Sequence, residues 1–227
     1  MNIFITGASS GLGRAIAHEY AARYFKLFAT KSATSEINAS ASRMVIGLAG
    51  RRMNELEMLA EELQKQYGVT CAIYALDVRD APALNAAAEN FITQFGTPNI
   101  VIANAGVSRG TLTELREDIP AFQALMDINL MGMVHTFQPF IATMKAAAKL
   151  GETVQLVGVA SVAGIRGIPG SGAYSASKAA VISYCESLRA EMQHHNIHVS
   201  TIAPGYVRTP MTEINQYKMP FLLDSMC

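Results

Sequence analysis

Two side chains that could carry a proton lie four residues apart in the second half of the chain. Tyr174 and Lys178 belong to an alanine- and serine-rich segment that predicts a helix, and this spacing places both on one helical face. A free phenol has a pKa of ~10 and transfers protons poorly at neutral pH, whereas a nearby ammonium favours the phenolate. The pair therefore indicates a tyrosine acid or base assisted by a lysine, although a chance pair on one helix would show the same spacing.

Ser161 precedes this pair, just after an apolar segment. Residues 154–159 predict a buried strand, and a loop rich in glycine and proline separates that strand from the helix of Tyr174. Ser161 would then lie at a strand end and Tyr174 at a helix start. That is where α/β proteins place their reactive groups.

A glycine-rich segment near the N-terminus predicts a phosphate site. Residues 2–6 have the pattern of a short buried strand, residues 6–13 contain the glycines, and residues 14–24 predict an alanine-rich helix. Glycines let the backbone approach a pyrophosphate, and the N–H groups and dipole at a helix start favour its charge. Gly7 and Gly11 could instead serve only a tight turn, but the strand before them and the helix after them favour the phosphate site.

Two nucleophile motifs compete with this interpretation. Ser9 lies in a G-x-S-x-G pattern, yet only six residues precede Gly7, and a serine hydrolase elbow needs upstream strands for its oxyanion loop. Ser175 and Lys178 form an S-x-x-K pattern, but the Ser-Asp-Asn and Lys-Thr-Gly triplets of those enzymes do not occur. We therefore favour dinucleotide binding, with a serine hydrolase that uses Ser9 as a distant alternative.

The position of the second strand decides the expected cofactor. Residues 25–30 could form it, but a polar low-complexity segment follows at 31–42. Residues 44–49 are the better candidate because they lead directly into an amphipathic helix at 53–67, as a βαβ unit requires. The segment 31–42 would then be a surface insertion.

Charged residues next to this strand predict NADP. Arginines at the strand end pair with a 2′-phosphate, whereas an acidic residue there accepts hydrogen bonds from a ribose hydroxyl. Arg51 and Arg52 follow the preferred strand directly. Glu36 lies nearer the usual spacing and would favour NAD, but it belongs to a polar stretch and not to a strand end. We expect NADP, with NAD as the alternative.

The rest of the chain continues to alternate strands and helices. The further predicted strands are 70–76, 100–103 and 198–203, and the further predicted helices are 81–95 and 119–150. Alternation of this kind predicts an α/β fold: one Rossmann-like, doubly wound parallel sheet with helices on both faces. We expect a single domain over residues 1–227, with its ligands at the carboxyl ends of the strands.

Several polar residues follow these strands or interrupt the helices. Asp77 could accept a hydrogen bond from an adenine amino group or simply make a turn, and Asp80 would cap the helix at 81–95. The small residues 104–106 would let a flat cofactor lie close to the sheet. Asn129 falls on an apolar helical face, so its amide must bind backbone or order a water.

Composition excludes several other classes of protein. The formal net charge is zero, so no global charge favours nucleic acid or an anionic membrane. Cys71, Cys185 and Cys227 are widely spaced and indicate thiols in a reducing compartment. The chain begins without a basic segment typical of signal peptides, and its most apolar stretch, 119–144, carries charge and prolines. We expect a cytoplasmic protein that binds small molecules and its own copies.

With these residues assembled, the chain resembles the short-chain dehydrogenase/reductase family from Asn2 to about Met211. Asn129, Ser161, Tyr174 and Lys178 match the family's catalytic tetrad. Ala103 stands where the family usually has an asparagine. Together with the two arginines, the predicted cofactor-binding residues are Thr6, Gly7, Ser9, Ser10, Gly11, Leu12, Gly13, Arg51, Arg52, Asp77, Val78, Asn104, Ala105, Gly106, Tyr174, Lys178, Pro204, Gly205, Val207 and Thr209.

The resemblance implies hydride transfer between a nicotinamide and a carbonyl or alcohol carbon, and with Arg51 and Arg52 we expect the cofactor to be NADP(H). By this resemblance Tyr174 is the general acid or base and Ser161 binds the reacting oxygen. Lys178 grips the ribose and lowers the phenol pKa, and Asn129 holds a water of the proton relay.

His194, His195 and His198 cluster without an acidic or thiol partner at ligand spacing, so we expect a solvated helix end there and no metal site. We also expect a homodimer formed through the long helices.

The C-terminal region departs from the family pattern. The chain ends at Cys227, and relatives usually continue through a substrate lid, another helix and a last edge strand. We therefore expect a short substrate-loop region at 206–227, an exposed sixth strand and a poorly closed pocket. Ile165, Arg166 and Ile168 would form one substrate wall. The alternative to an active reductase is a truncated, catalytically weak protein that binds dinucleotide without turnover.

Overall fold

The structure is a computed structural model that describes residues 1–32, 44–210 and 222–224, with backbone alone for 28–32. Its main strands are β1 (Asn2–Thr6), β2 (Val45–Gly50), β3 (Thr70–Ala75), β4 (Ile100–Ala103), β5 (Val154–Val159) and β6 (Ile197–Ile202). Its helices are α1 (Gly11–Ser32), α2 (Met53–Tyr67), α3 (Ala81–Phe95), α4 (Ile119–Met126), α5 (Gly132–Lys149) and α6 (Gly172–Gln193). Two short strands, β7 (Val207–Arg208) and β8 (Leu223–Asp224), pair with each other.

The six main strands form one parallel sheet in the order β3-β2-β1-β4-β5-β6. This confirms the predicted doubly wound fold, in which the strand order reverses between β1 and β4. Thr6 pairs with Ala49 on one side and with Ala103 on the other, so the loops after these strands leave the sheet at one level. A crevice therefore opens beside that reversal, at the carboxyl ends of the strands.

The sheet is buried on both faces because neighbouring side chains of a strand point in opposite directions. In β1, Ile3 and Ile5 belong to the core that includes α1 and α2, whereas Phe4 belongs to the core that includes α3, α5 and α6. Phe4 lies against the rings of Phe91 and Phe140, with centroids 5.6 and 4.9 Å away. Each such fully buried side chain contributes about 1.5–3 kcal/mol relative to an exposed one. The two cores hold the glycine loop and α6 to the same sheet.

The second strand lies where the sequence favoured it. β2 pairs with β1 and β3, and residues 25–30 instead belong to the end of α1. The alternative second strand at residues 25–30 is therefore excluded, because α1 extends to Ser32 and incorporates them. Most of the predicted insertion, and Glu36 within it, lies outside the described residues.

The helical region predicted at 119–150 is interrupted. A π-helical turn at Asp127–Met131 separates α4 from α5, and such turns often occur at functional sites. The turn widens the helix at Asn129. Asp80 caps α3 as expected, since its side chain accepts a hydrogen bond from Ala83 N at 3.0 Å.

Within the described residues, the sixth strand lies at the edge of the sheet, as expected from the sequence. β6 pairs only with β5 there, so it forms one edge of the sheet. Of the C-terminal region predicted at 206–227, the structure describes 206–210 and 222–224. Within the described ranges, no helix combines the length and apolar character needed to cross a bilayer.

Candidate active site

A cleft of about 280 Å³ opens at the carboxyl ends of the strands and gathers most of the predicted site residues. The predicted residues that line it are Gly7, Ser9, Ser10, Gly11, Leu12, Arg51, Arg52, Asp77, Val78, Asn104, Ala105, Gly106, Ser161, Tyr174, Lys178, Pro204, Gly205, Val207 and Thr209. Thr6, Gly13 and Asn129 lie outside this lining. The cleft thus runs from the glycine loop to the start of α6.

Tyr174 and Lys178 lie on the first turns of α6 and both line the cleft. Lys178 Nζ is 6.0 Å from the centre of the Tyr174 ring. The lysine side chain is buried, with 4% of its surface exposed, and its Nζ donates a hydrogen bond to Val159 O at 2.8 Å. This burial lowers the pKa of Lys178 to about 8. The amine is therefore cationic at neutral pH but close to its titration.

Ser161 leaves the sheet just after β5. Its backbone is extended, and its hydroxyl accepts a hydrogen bond from Ala163 N at 3.2 Å at the start of a short 3₁₀ turn. The following residue anchors the turn, because Val162 N donates to Pro204 O at 3.0 Å. A serine hydroxyl has one proton to donate besides the bonds it accepts. Ser161 can therefore donate to an oxygen atom in the cleft.

Asn129 binds backbone, which decides between the two alternatives left open by the sequence. The side chain is fully buried. Its Oδ1 accepts from Val107 N at 2.8 Å, and its Nδ2 donates to Val107 O at 3.0 Å. The second Nδ2 proton goes to Ser177 Oγ at 2.9 Å. Both amide protons are thereby used by protein groups.

The residues just after β4 hold the glycine loop on the side away from the cleft. Gly7 has φ +69°, and a Cβ atom there would lie 2.7 Å from Ala105 Cα, so only glycine fits. Asn104 Nδ2 donates to Thr6 O and to Gly7 O, each at 3.1 Å. A Cβ at Gly13 would lie 2.5 Å from that same Nδ2. Thr6 and Gly13 therefore shape the loop from outside the cleft lining.

The end of β2 supplies positive charge to the cleft. Arg51 and Arg52 are both exposed there, and Arg52 Nη2 donates to Ser9 Oγ at 3.2 Å. Asp77 is the acidic residue among the lining residues. The cleft end near β2 is thus suited to an anion.

Asp77 makes a turn and also faces the cleft. Its Oδ1 accepts from Arg79 N at 3.0 Å, and its Oδ2 pairs with Arg79 Nη2 at 2.8 Å. The hydrogen bonds from Arg79 hold the pKa of the Asp77 carboxyl below its usual range. Asp77 therefore stays ionised at neutral pH, which is the acceptor form.

The competing nucleophiles lie in unsuitable surroundings. Ser9 Oγ bonds Arg52, and no described histidine bonds it. Ser175 Oγ accepts from Ile168 N at 3.1 Å, while the Lys178 amine bonds Val159 O. Neither serine is paired with a base, as an activated nucleophile requires.

The predicted substrate wall lies outside the cleft. Ile165, Arg166 and Ile168 do not line the cleft, and the first two are exposed. Seven residues that line the cleft were not predicted from the sequence, although each lies within two positions of a predicted site residue. The seven are Gly50, Leu76, Val107, Ile128, Val159, Ala160 and Pro210. The parts of the chain that the structure describes contain no cluster of side chains arranged to hold a metal.

Comparison with known proteins places this geometry among oxidoreductases. Residues 37–219 match a family model described as short chain dehydrogenase. An uncharacterized oxidoreductase of Myxococcus xanthus is 36% identical over 221 residues, covering 97% of this chain and 78% of the relative. A sulfoacetaldehyde reductase of Chromohalobacter salexigens is 33% identical over 210 residues, covering 92% and 74%.

Solved structures share the fold. An alcohol dehydrogenase from Thermococcus sibiricus, complexed with 5-hydroxy-NADP, has a TM-score of 0.81 and 26% identity over 99% of this chain and 85% of its own. A 3-ketoacyl-(acyl-carrier-protein) reductase from Brucella melitensis, complexed with NADH, has a TM-score of 0.83 and covers 100% of this chain and 86% of its own. At 23% identity, the second shows the fold alone.

Proposed function

Because the chain belongs to the short-chain dehydrogenase family, we propose that it transfers hydride between NADP(H) and a carbonyl or alcohol substrate. One observation carries the proposal. The amine of Lys178 lies 6.0 Å from the Tyr174 ring in a cleft that Ser161 and the glycine loop also line. A cation at that place favours the phenolate and makes the tyrosine a better proton carrier.

The residues of the cleft fit a dinucleotide. A Cβ at Gly7 would clash with Ala105, so the glycine lets the loop pack tightly against the segment after β4. The backbone of the loop lines the cleft and, at the start of α1, offers N–H groups to a pyrophosphate. Asp77 is an ionised acceptor for the adenine end, and Asn104, Ala105 and Gly106 form a wall of small groups. Pro204, Gly205, Val207 and Thr209 would contact the nicotinamide side. When bound, the nicotinamide supplies or accepts the hydride.

The chain's own residues handle the proton and the reacting oxygen. Tyr174 donates its phenolic proton to the carbonyl oxygen during reduction and takes it back during oxidation. Ser161 donates a hydrogen bond to that oxygen, and Lys178 binds ribose hydroxyls and favours the phenolate. Acid–base positioning of this kind contributes ~10²–10⁴ in rate. Asn129 fixes the loop of Val107 beside these groups.

Positive charge at the end of β2 supports NADP over NAD. Arg51 and Arg52 line the cleft where a 2′-phosphate would lie, and arginine pairs well with phosphate. NAD remains the second candidate, since a 26% identical 3-oxoacyl-[acyl-carrier protein] reductase from Brucella melitensis is described with bound NAD. Comparing KM for NADPH with KM for NADH tests this choice. A lower KM for NADH would overturn it.

The substrate is a small carbonyl compound in this proposal. One relative is named as a reductase of sulfoacetaldehyde, and another, from Chlamydia trachomatis, as a 3-oxoacyl-[acyl-carrier-protein] reductase. NADPH oxidation should therefore be followed against sulfoacetaldehyde, 3-oxoacyl thioesters, simple aldehydes and ketones. Turnover with any of them supports the proposal. Tight NADPH binding with no turnover across the panel would favour the catalytically weak alternative.

We also propose a single domain and a homodimer formed through the long helices. Exposed apolar side chains support the dimer, namely Ile119 at the start of α4 and Met131 just before α5. A partner that covers these side chains removes apolar surface from water, which is favourable. Light scattering after size exclusion gives the mass. A monomer at micromolar concentration would contradict the dimer.

A further inference from the structure

Ser177 lies between the two proposed catalytic residues of α6 and joins parts of the site that are distant in sequence. Its side chain is fully buried. The hydroxyl donates to Tyr174 O at 2.8 Å and accepts from Asn129 Nδ2 at 2.9 Å. Both bonds are direct contacts between protein atoms at ordinary hydrogen-bond length.

A serine inside a helix often bonds a carbonyl of the preceding turn, and that bond alone would be unremarkable. The bond from Asn129 is different because it comes from the π-helical turn, 48 residues away in sequence. The same amide holds Val107 N and Val107 O. Ser177 thus completes a chain of hydrogen bonds that runs from the loop after β4, through Asn129, to the Tyr174 carbonyl.

From this arrangement we propose that Ser177 is a positioning residue for Tyr174. Its hydroxyl fixes the first turn of α6 against the π-helical turn, and this contact sets where the phenol lies relative to Lys178. Lys178 is the next residue in the chain, and the backbone of Ser177 leads directly to it. The inference rests on the proposed reductase reaction, because the positioned group is its acid or base.

The structure also offers a simpler role, in which Ser177 only satisfies the second proton of a buried amide. Loss of the hydroxyl would then lower stability, because it would leave a buried amide donor of Asn129 without a partner. It would leave the turnover of the folded protein unchanged. A positioning role predicts a change in kcat and in the pH profile as well.

Ser177→Ala tests the proposal in the full-length protein with NADPH and a substrate that the wild type turns over. We expect kcat to fall about tenfold or more, since small misplacements of reacting groups cost this much. NADPH Kd should stay within about twofold, and the pKa in the kcat/KM profile should shift by about half a unit or more. Ser177→Cys keeps a side chain of similar size with a weak donor and replaces the alanine variant if that variant does not fold.

Thr136→Val is the matched control. Thr136 is also fully buried, but its hydroxyl donates only within α5, to Gly132 O at 2.7 Å. We expect this variant to lose stability and keep kcat within about twofold. Equal loss of kcat in both variants would overturn the proposal.

A double-mutant cycle separates the route through Asn129 from other effects. If Ser177 acts through that contact, Ser177→Ala should lower kcat much less in an Asn129→Ala background than in the wild type. Fully additive effects would overturn the proposal, as would a wild-type kcat and pH profile in Ser177→Ala. Absence of NADPH-dependent turnover in the wild type would instead contradict the proposed function itself.

Discussion

The amine of Lys178 lies 6.0 Å from the centre of the Tyr174 ring and donates a 2.8 Å hydrogen bond to Val159 O. α6 supplies both side chains, and the end of β5 supplies the carbonyl. The buried amine is held beside the phenol by the sheet as well as by its own helix. Because the two residues are four positions apart and the amine is held by Val159 O, the charge of Lys178 lies at a fixed place next to the phenol of Tyr174.

The phenol itself should be indispensable for turnover. Tyr174→Phe removes the proton carrier and keeps the ring, so kcat should fall by ~10²–10⁴. NADPH Kd, measured by fluorescence titration, should change little because the glycine loop and Arg51 are untouched. Loss of NADPH binding, or turnover near that of the wild type, would contradict the assignment.

Lys178 should make the folded protein more stable as the pH rises between the two pKa values of its amine, folded and unfolded. Burial lowers its pKa from 10.5 to about 8. Below the lower value the amine is charged in both the folded and the unfolded chain, and its burial destabilises the fold. Between the two values only the unfolded chain binds the proton, so stability from this group rises with pH.

Lys178→Met removes this dependence. The free energy of unfolding of the variant relative to the wild type should decrease between about pH 7 and pH 10, by up to about 3 kcal/mol. Urea denaturation at both pH values measures it. If the difference in unfolding free energy between variant and wild type does not change with pH, burial does not lower the pKa of Lys178. The variant should also lose turnover, since the phenol loses its cation.

The two arginines after β2 should select the cofactor. Replacing Arg51 and Arg52 with alanine removes the charges proposed to pair with the 2′-phosphate, so KM for NADPH should rise about tenfold or more. KM for NADH should change far less. Arg23→Ala is the control, because Arg23 is an exposed arginine of α1 that pairs with Glu19. Equal changes for both cofactors would refute the selective role.

Gly106 should keep space open between two polar groups. A Cβ atom there would lie 3.2 Å from Asn129 Oδ1 and 3.4 Å from Lys178 Nζ. Gly106→Ala should therefore displace one of them by a few tenths of an ångström and lower kcat about tenfold. Gly167→Ala is the control, since a Cβ at Gly167 meets nothing within 4 Å. Unchanged kcat in Gly106→Ala would show that this spacing is not critical.

The sequence predicted the order of strands and helices well. α2, α3, β4 and β5 have the bounds expected from their patterns. The choice of β2 over residues 25–30 was also confirmed. These features depend on periodicity, glycine and proline within a few neighbouring residues, so they are visible in the chain itself.

Other features depend on partners that lie far away in sequence. Asn129 could have bound backbone or water, and only the fold brings it to Val107 and Ser177. Asp77 could have been a turn residue or a ligand, and in the structure it makes a turn while it faces the cleft. The extension of α1 to Ser32 and the π-helical turn also lack a clear local signal.

The sequence by itself thus determined the type of sheet, the glycine loop and the spacing of Tyr174 and Lys178. Only the tertiary structure decided which buried polar groups satisfy one another and how deeply Lys178 is desolvated. The physical reason is that helix and strand patterns are local. The partner of a buried donor, and the burial that shifts a pKa, are set by packing among segments that the fold brings together.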